Sequence, residues 1–294
     1  MPSVATALRV RLADCGEKVP VVTGFFGNVP GSLIDGDIGR GYTDLCSALC
    51  AVAIKADELQ VWKEVDGIFT ADPSKVPTAR LLHSITPSEA AELTFYGSEN
   101  VKNPRGSGTI VLPDKVQSAG QPIQQVNGYK PPPPSKGNTP KRPTAVTIKD
   151  KISVINVHSN KRSLSHGFFA RVFSILHARR VSVDLISTSE VHVSMAIHSP
   201  SSESKILRQA AEELGECGDV SVLHNMTILS LVGADMKDMV GIAGKMFSTL
   251  GDHNVNIEMI SQGASEINIS CVIEAKDATR AMNILHTHLF TFLE

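Results

Sequence analysis

The stretches VSVDLISTSE (residues 181–190) and VNIEMISQGASE (residues 255–266) are two copies of one pattern, and this repetition decides the fold of the second half of the chain. Asp184 corresponds to Glu258 at an offset of 74 residues, whereas Glu190 corresponds to Glu266 at an offset of 76. We therefore expect the second copy to carry two additional residues in the turn between its strands.

Around these stretches each copy has the pattern strand, amphipathic helix, strand, strand, helix. The first copy contains KISVINV, FFARVFSILHARR and VHVSMAI, and the second contains MTILSLV, IAGKMFSTLGDHN and INISCVI. In the first helix Phe169, Val172, Phe173 and Leu176 recur at three- and four-residue spacing, so we expect this face to pack on a sheet. The pattern predicts two ferredoxin-like βαββαβ units. On fold alone, such a module is equally a scaffold or a dimer interface.

A polar segment with four consecutive prolines, DKVQSAGQPIQQVNGYKPPPPSKGNTPKRPT, separates this repeat from the first half. Before it, strand-like VPVVTGF, LQVW and TIVLP alternate with helical DLCSALCAVAI and SEAAEL, which is typical of a layered α/β domain. We therefore predict a first domain, a linker and two repeat units, at residues 1–114, 115–146, 147–222 and 223–294.

Composition limits the classes of partner. The chain has 294 residues, of which 42% are apolar, and its 28 lysines and arginines nearly balance its 30 aspartates and glutamates. No run reaches the apolar length of a membrane span, and the start, which includes Arg9 and Arg11, favours an amphipathic helix. Five cysteines without paired spacing indicate reduced thiols, and the ten histidines show no metal-ligand spacing. We expect a cytoplasmic protein with small-molecule ligands, no dedicated metal site and no nucleic-acid or membrane partner.

A glycine-flanked arginine precedes the first helical segment. Gly39 and Gly41 bracket Arg40, and Thr43 and Asp44 follow. Glycine lets the main chain approach a ligand closely, and the amides at a helix start favour an anion. Arg40 would add a charged fork, Thr43 a hydroxyl and Asp44 a negative oxygen. The structural alternative is an ordinary glycine-rich turn before a helix.

A second turn, WKEVDGIFTADPSK, directly follows the strand-like LQVW. One interpretation is a loop or hairpin that buries Phe69. The other is a nucleotide loop with polar contacts from Glu64, Asp66 and Lys75. Because ligands bind where neighbouring strands of α/β sheets end, we expect this turn and the one around Arg40 to converge at one sheet edge. Further on, ITPSEAAEL predicts a helix with a capping box.

These motifs together resemble a known family. VPVVTGFFG, GRGYTDLCSALCA, LQVWKEVDGIFTADPSKVPTARLL, ITPSEAAELTFYGSE and NPRGSGT are similar to the aspartate kinases of fungi, and the repeat resembles their tandem ACT domains. The resemblance implies the α/β class: a partial amino acid kinase fold followed by two ferredoxin-like βαββαβ ACT domains. It also implies transfer of the γ-phosphoryl group of ATP, with Mg²⁺, to the side-chain carboxylate of L-aspartate. That reaction begins the biosynthesis of threonine, methionine, isoleucine and, in many organisms, lysine.

The resemblance also assigns roles to residues of this chain. Arg40 and Thr43 would meet the aspartate or the transferring phosphate, and Asp44 would organise the phosphate end. The residues implied at the nucleotide are Lys63, Glu64, Asp66, Gly67, Phe69 and Lys75. Those implied at the pocket for an amino acid effector, threonine or lysine, are Ser165, His166, Gly167, Asp184, Ser187, Ser189 and Glu190. An effector's ammonium needs carboxylates and its carboxylate needs helix-start amides. The ACT domains also imply a homo-oligomer.

Two departures from the family pattern bear on activity. The chain starts downstream of the family's KFGGTS-like phosphate loop, and it passes from Glu99 to Asn100 where the family has a VIHPxT segment, a helix and a strand. We therefore expect a truncated aspartate kinase that is weakly active or inactive alone. The alternative is a non-catalytic, amino-acid-sensing ACT protein.

Overall fold

The computed structural model describes residues 4–25, 42–62, 66–95, 108–112, 142–159, 167–200, 204–263 and 267–290. The chain divides into two units, residues 1–63 and residues 64–294, and each is described by itself. The helices are α1 Val4–Ala13, α2 Tyr42–Ile54, α3 Pro87–Phe95, α4 Phe168–Ala178, α5 Ser204–Leu214, α6 Ile242–Asp252 and α7 Ala278–Phe290. The strands are β1 Ser84–Ile85, β2 Ile110–Val111, β3 Ala145–His158, β4 Leu185–Thr188, β5 His192–His198, β6 Asp219–Val232, β7 Met259–Ser261 and β8 Asn268–Glu274.

The first unit contains α1 and α2, both in segments that the sequence predicts to be helical. The predicted strands at residues 19–25 and 59–62 are wrong, because neither described segment forms a ladder. Val19 and Val21 are 89% and 96% exposed, and Trp62 is 56% exposed. A strand needs a neighbour to satisfy its backbone amides and carbonyls, and neither segment has one among the described residues.

The second unit contains a six-stranded antiparallel sheet in the order β4-β5-β3-β6-β8-β7. Its two halves repeat, and the backbone marks the repeat at an offset of 74 residues. Three pairs of residues adopt positive φ at that offset: Lys151 and Asn225, Gly167 and Gly241, and Arg180 and Asn254. Helices α4 and α6 each have 11 residues. The two ferredoxin-like units that the sequence predicts are therefore present.

Strands β3 and β6 are each 14 residues long and serve both repeat units. The first part of β3, from Ala145 to Lys149, pairs with the end of β6, from Ile228 to Val232. The remainder of β3 pairs with β5 and with the start of β6. The second repeat unit is thus completed by a strand segment that precedes the first, and the predicted boundaries at 146/147 and 222/223 fall within these strands.

Four apolar clusters form the core of the second unit. The smallest joins Ile68, Ile85 and Leu93 to Ala145 of β3 and Val232 of β6. The other three lie mainly within the sheet and the helices that cover it. One lies under α4 and α5 and a second under α6 and α7, on the helix side of each half of the sheet. The third contains Ile152, Val154, Met226, Ile228 and Met259, which come from strands of both halves. The sheet therefore buries apolar residues on both faces, so it is sequestered from water within a single chain.

The helical face of α4 differs from the prediction. Phe168, Val172 and Leu176 are buried, whereas Phe169 and Phe173 are 36% and 40% exposed. The prediction is thus confirmed for Val172 and Leu176 and wrong for Phe169 and Phe173. The buried stripe at 168, 172 and 176 has pure four-residue spacing, so Phe168 takes the buried position that was expected for Phe169. No described helix is both long enough and apolar enough to cross a membrane.

Candidate functional site

Two predicted site residues, Thr43 and Asp44, lie in the first turn of α2. A Cβ atom on Gly24 would lie 2.9 Å from both Cγ2 and Oγ1 of Thr43, so only glycine permits this approach without a shift. The ring of Phe25 lies 5.3 Å from that of Tyr42, next to Thr43. A carboxylate in a first turn, such as that of Asp44, is favoured by the helix dipole. Arg40 lies outside the described residues, so its convergence with the second turn stays a prediction.

The predicted nucleotide loop, residues 66–80, lies in the second unit, and its beginning is tightly packed. Gly67 has φ of 148°, and a Cβ atom there would lie 2.6 Å from Cδ1 of Leu81 and 2.7 Å from Oγ1 of Thr109. The Thr109 hydroxyl accepts from the amide of Ile68 at 2.8 Å and donates to the carbonyl of Leu82 at 2.6 Å. Phe69, which is partly buried, forms a bridge with Leu81. Lys63 and Glu64 lie outside the described residues.

The tip of this loop is held by an aspartate turn. Asp72 accepts hydrogen bonds from the amide and the hydroxyl of Ser74, at 2.9 and 2.6 Å. Lys75 Nζ lies 3.9 Å from Asp72 Oδ2 and 3.5 Å from Asp150 Oδ2 of β3. Val76 is fully buried in the cluster under α6 and α7. The cation predicted to contact the nucleotide is therefore shared between carboxylates, while Asp66 is exposed.

Helix α7 holds the loop through polar contacts. The imidazole of His286 is within hydrogen-bond distance of Thr70 Oγ1 at 2.8 Å and of Thr78 Oγ1 at 3.1 Å. Asn283 Nδ2 donates to the Lys75 carbonyl at 2.8 Å. Burial, and secondarily the charge of Arg80, lower the pKa of His286, which favours its neutral form. His286 was not predicted as a functional residue, because a histidine in an apolar helix carries no signal of its distant partners.

Glu89 joins α3 to the ACT sheet. Its carboxylate accepts from the Thr86 amide at 2.9 Å and the Thr86 hydroxyl at 3.0 Å, which confirms the predicted capping box. It also accepts from the Thr144 hydroxyl and from the amide of Ala234 at 2.8 Å. Burial acts to raise the pKa of Glu89, but the hydrogen bonds from Thr144, Thr86 and Ala234 outweigh it and lower the pKa below its ordinary value. The long-range contacts had no local signal in the sequence.

The described residues of the predicted effector pocket lie along β4 and at the start of α4. Gly167 precedes α4 with φ of 102°, and Ser165 and His166 lie outside the described residues. Ser187, Ser189 and Glu190 are exposed at the far end of β4. Asp184 precedes β4, roughly 16 Å from Ser189 at the rise of an extended chain. Within one chain, Asp184 and Glu190 are therefore too far apart to contact one small amino acid together.

Asp184 forms a partly buried ion pair that the sequence analysis did not predict. Lys149 Nζ lies 2.9 Å from Asp184 Oδ1, and the Asp184 side chain is only 7% exposed. Its other oxygen, Oδ2, is buried and has no hydrogen-bond partner. A buried carboxylate oxygen without a donor is costly, so it is a position where an ammonium or amide donor would be favourable. In the sequence, Lys149 is distinguished only by its position in the charged run from Lys149 to Lys151, which interrupts an otherwise apolar strand.

A cavity of about 410 Å³ lies between α5 and β6 and contains none of the predicted site residues. Its lining consists of Lys205, Leu207, Arg208, Ala211, Val222 and His224. Cation and apolar groups both face it, so its chemistry differs from that of the nucleotide loop. The sequence analysis did not anticipate this cavity.

Comparison with known proteins finds two families along the chain, and the first match crosses the division between the two units at residue 63. Residues 3–111 match the amino acid kinase family, and residues 229–289 match an ACT domain. Aspartate kinase FUB3 of Gibberella moniliformis is 55% identical over an alignment that covers 99% of this chain and 61% of that protein. The aspartokinase of Saccharomyces cerevisiae is 54% identical, with 93% of this chain and 56% of that protein covered. This chain belongs to the aspartate kinase family.

Solved aspartate kinases share the fold. The enzyme of Clostridium acetobutylicum superposes with a TM-score of 0.70 at 25% identity, over 84% of this chain and 57% of that one. Aspartokinase III of E. coli, in complex with aspartate and ADP, gives 0.69 at 27% identity, over 86% of this chain and 57% of that one. The predicted fold class, an amino acid kinase part followed by ACT units, is confirmed. The chain spans about three fifths of the length of the curated aspartate kinases that it matches.

Proposed function

We propose that the protein to which this chain belongs transfers the γ-phosphoryl group of ATP to the side-chain carboxylate of L-aspartate, at the start of threonine, methionine and isoleucine biosynthesis and possibly that of lysine. The observation that carries this proposal is the 55% identity to an aspartate kinase across both parts of the chain. The crystallised relative from E. coli binds aspartate and ADP. The tightly packed beginning of the loop at residues 66–80 supports the same proposal, because a nucleotide site requires fixed backbone.

The proposed chemistry needs positioning and charge neutralisation rather than a protein nucleophile. Arg40 and Thr43 would orient the aspartate or the transferring phosphate, and Asp44 would organise the phosphate end. Mg²⁺ that accompanies ATP is bound mostly by phosphate oxygens with one or two carboxylates, and the side chain of Asp44 is a suitable donor. The loop would border the adenosine and its phosphates.

We further propose that the chain alone has little or no kinase activity. Residues 19–25 and 59–62 form no strands, and Val21 and Trp62 are largely exposed. Apolar side chains of a catalytic sheet are normally buried, so the scaffold that would hold Arg40 and Thr43 is incompletely packed. Misplaced groups at a phosphoryl-transfer centre reduce the rate by orders of magnitude.

Trapping the acyl phosphate with hydroxylamine tests both proposals. With ATP, Mg²⁺ and aspartate, we expect hydroxamate formation at a rate roughly 10³-fold or more below that of the S. cerevisiae aspartokinase assayed beside it. The Arg40→Met variant should remove any residual activity of this chain. A rate within tenfold of the full-length control would contradict the proposed low activity, and residual activity that survives Arg40→Met would contradict the role of that arginine.

A second candidate function, a non-catalytic amino acid sensor, is favoured by the unpartnered oxygen of Asp184 in an otherwise well-packed ACT half. Calorimetric titration with threonine and with lysine should give a binding signal that Asp184→Asn weakens. Glu212→Gln, on an exposed position of α5, is the matched control. If neither threonine nor lysine gives a heat of binding, this would argue against effector binding in this chain.

We also propose that the protein is cytoplasmic and forms a homo-oligomer through its ACT units. The long strands β3 and β6 each have a part that pairs on one side only among the described strands, which supports pairing between chains. Sedimentation should show a species of at least twice the 31.5 kDa chain mass, and a purely monomeric protein would contradict this assembly.

A further inference from the structure

His286 of α7 contacts both arms of the nucleotide loop with the two nitrogens of one ring. Nε2 lies 2.8 Å from the hydroxyl of Thr70, and Nδ1 lies 3.1 Å from the hydroxyl of Thr78. The arms also contact each other, because the amide of Arg80 donates to Thr70 Oγ1 at 2.9 Å and Thr70 N donates to the Arg80 carbonyl at 2.9 Å. The imidazole therefore links the two arms of the loop through the hydroxyls of Thr70 and Thr78.

The ring of His286 is itself fixed. It is 2% exposed and stacks on Phe290, one turn further along α7, with ring centroids 5.0 Å apart and planes inclined by 5°. Asn283, one turn before His286, donates from Nδ2 to the Lys75 carbonyl at the loop tip. Residues at spacings of three and four share one face of a helix, so α7 presents one polar stripe to this loop.

The polar contacts of this stripe are additional to the apolar packing of α7. The same helix supplies Ala281, Met282, Leu285 and Leu289 to the apolar cluster beneath it. An apolar residue at position 286 could not bond to Thr70 and Thr78, whereas a histidine with both nitrogens engaged specifies the position of the two hydroxyls. A buried polar group with satisfied partners fixes one arrangement of the elements that it joins.

We infer that His286 is a positioning residue that holds residues 66–80 in their nucleotide-binding conformation, so that the last helix of the ACT half forms part of the support of the nucleotide site. The inference rests on the proposed function of the loop. It has a consequence for regulation: a ligand that displaces α7 alters the affinity for nucleotide, and nucleotide alters the affinity for that ligand by the same factor.

Two measurements on the whole chain test the inference: hydrogen exchange of the loop amides, and calorimetric titration with ADP. In His286→Ala we expect faster exchange at Thr70 and Arg80 and an ADP affinity weakened about tenfold. His286→Gln, which restores a polar group near the Nε2 position, should recover part of both. The control is His288→Ala, since His288 bonds to the carbonyl of Ile284 in its own helix and its ring contacts His253.

The outcomes separate this inference from the proposed function. Unchanged loop exchange and unchanged ADP affinity in His286→Ala would overturn the inference. Absence of ADP binding by the unsubstituted chain would overturn the nucleotide role on which it rests, and faster loop exchange with full ADP affinity would overturn the link between loop and nucleotide. If His286→Ala fails to fold, Thr78→Val decides the same questions, because Thr78 is exposed and its substitution leaves α7 intact.

Discussion

Glu89 combines a local and a long-range role in one carboxylate. It caps its own helix through Thr86, and it also accepts hydrogen bonds from Thr144, directly before β3, and from Ala234, shortly after β6. Such a side chain satisfies several backbone and hydroxyl donors that would otherwise be buried without partners. The single residue therefore stabilises both α3 and its attachment to the sheet.

Replacing Glu89 by alanine should lower the free energy of unfolding by about 3 kcal/mol, because several buried donors lose their acceptor. Glu89→Gln should cost less, since the amide keeps one accepting oxygen. Urea unfolding followed by circular dichroism measures both, with the exposed Glu212→Gln as control. Equal stability of Glu89→Ala and Glu212→Gln would show that these hydrogen bonds contribute nothing.

The stabilising effect of Glu89 should depend on pH in a defined direction. Its pKa in the folded protein is lower than the ordinary value of 4.5, so the carboxylate stabilises the fold above that pH. This contribution is lost as the pH falls through the folded-state pKa. The difference in unfolding free energy between the unsubstituted chain and Glu89→Gln should therefore be large near neutral pH and shrink under acid conditions. A difference that grows on acidification would contradict this.

The pair of Lys149 and Asp184 behaves differently, since one of its carboxylate oxygens already lacks a partner. Lys149→Met should destabilise the chain by about 3 kcal/mol, because it leaves a buried charge without compensation. The double variant Lys149→Met with Asp184→Leu should recover much of this loss, since it removes the charge as well. Thermal unfolding of four proteins, the unsubstituted chain, Lys149→Met, Asp184→Leu and the double variant, measures the coupling, and additive effects of the two substitutions would exclude it.

At the scale of elements, the long strands β3 and β6 change partners at irregular points. Their register shifts between Lys149 and Val154, close to Lys151 and Asn225, which adopt φ of 60° and 58°. The left-handed backbone conformation at these residues redirects each strand from one repeat unit to the other. Asp150 beside the shift pairs with Lys75, and Lys149 pairs with Asp184, so neighbouring residues of β3 contact the loop at residues 66–80 and the residue that precedes β4.

Two substitutions of Lys151 should change the free energy of unfolding in opposite directions. Lys151→Gly should raise the free energy of unfolding by roughly 1 kcal/mol, since glycine adopts positive φ without strain. Lys151→Val should lower it by at least as much, because β-branched residues are outliers there. Chemical denaturation measures both. Two changes of the same sign would mean that the side chain of Lys151, rather than its backbone, determines stability.

At the scale of the whole molecule, the two units differ in how they bury apolar residues. The second unit has four apolar clusters, whereas the first leaves Val19, Val21 and Trp62 exposed. Amides of residues 19–22 and 59–62 should therefore exchange with solvent far faster than those of β3 and β6. Hydrogen exchange read by mass spectrometry tests this on the intact chain. Equal protection of the two units would contradict it.

The repeat, the positions of the helices and the capping box were predicted from the sequence because each depends on residues that are close in the chain. The offset of 74 residues appears in the sequence, where Asp184 aligns with Glu258. The same offset separates Lys151 from Asn225, which both adopt positive φ. For the apolar face of α4, Val172 and Leu176 were predicted correctly and Phe169 and Phe173 were not, since neighbouring phenylalanines such as Phe168 and Phe169 are chemically alike and only packing distinguishes them.

The sequence by itself determined that the chain contains two βαββαβ units behind an aspartate kinase motif set, because periodicity and turn chemistry are local properties. Only the tertiary structure decided which strands both units share, that residues 19–25 lack a ladder, and that His286 meets Thr70 across 216 residues of chain. These features depend on partners distant in sequence. A strand, an ion pair or a buried imidazole is stable only when the fold brings its partner within hydrogen-bonding distance.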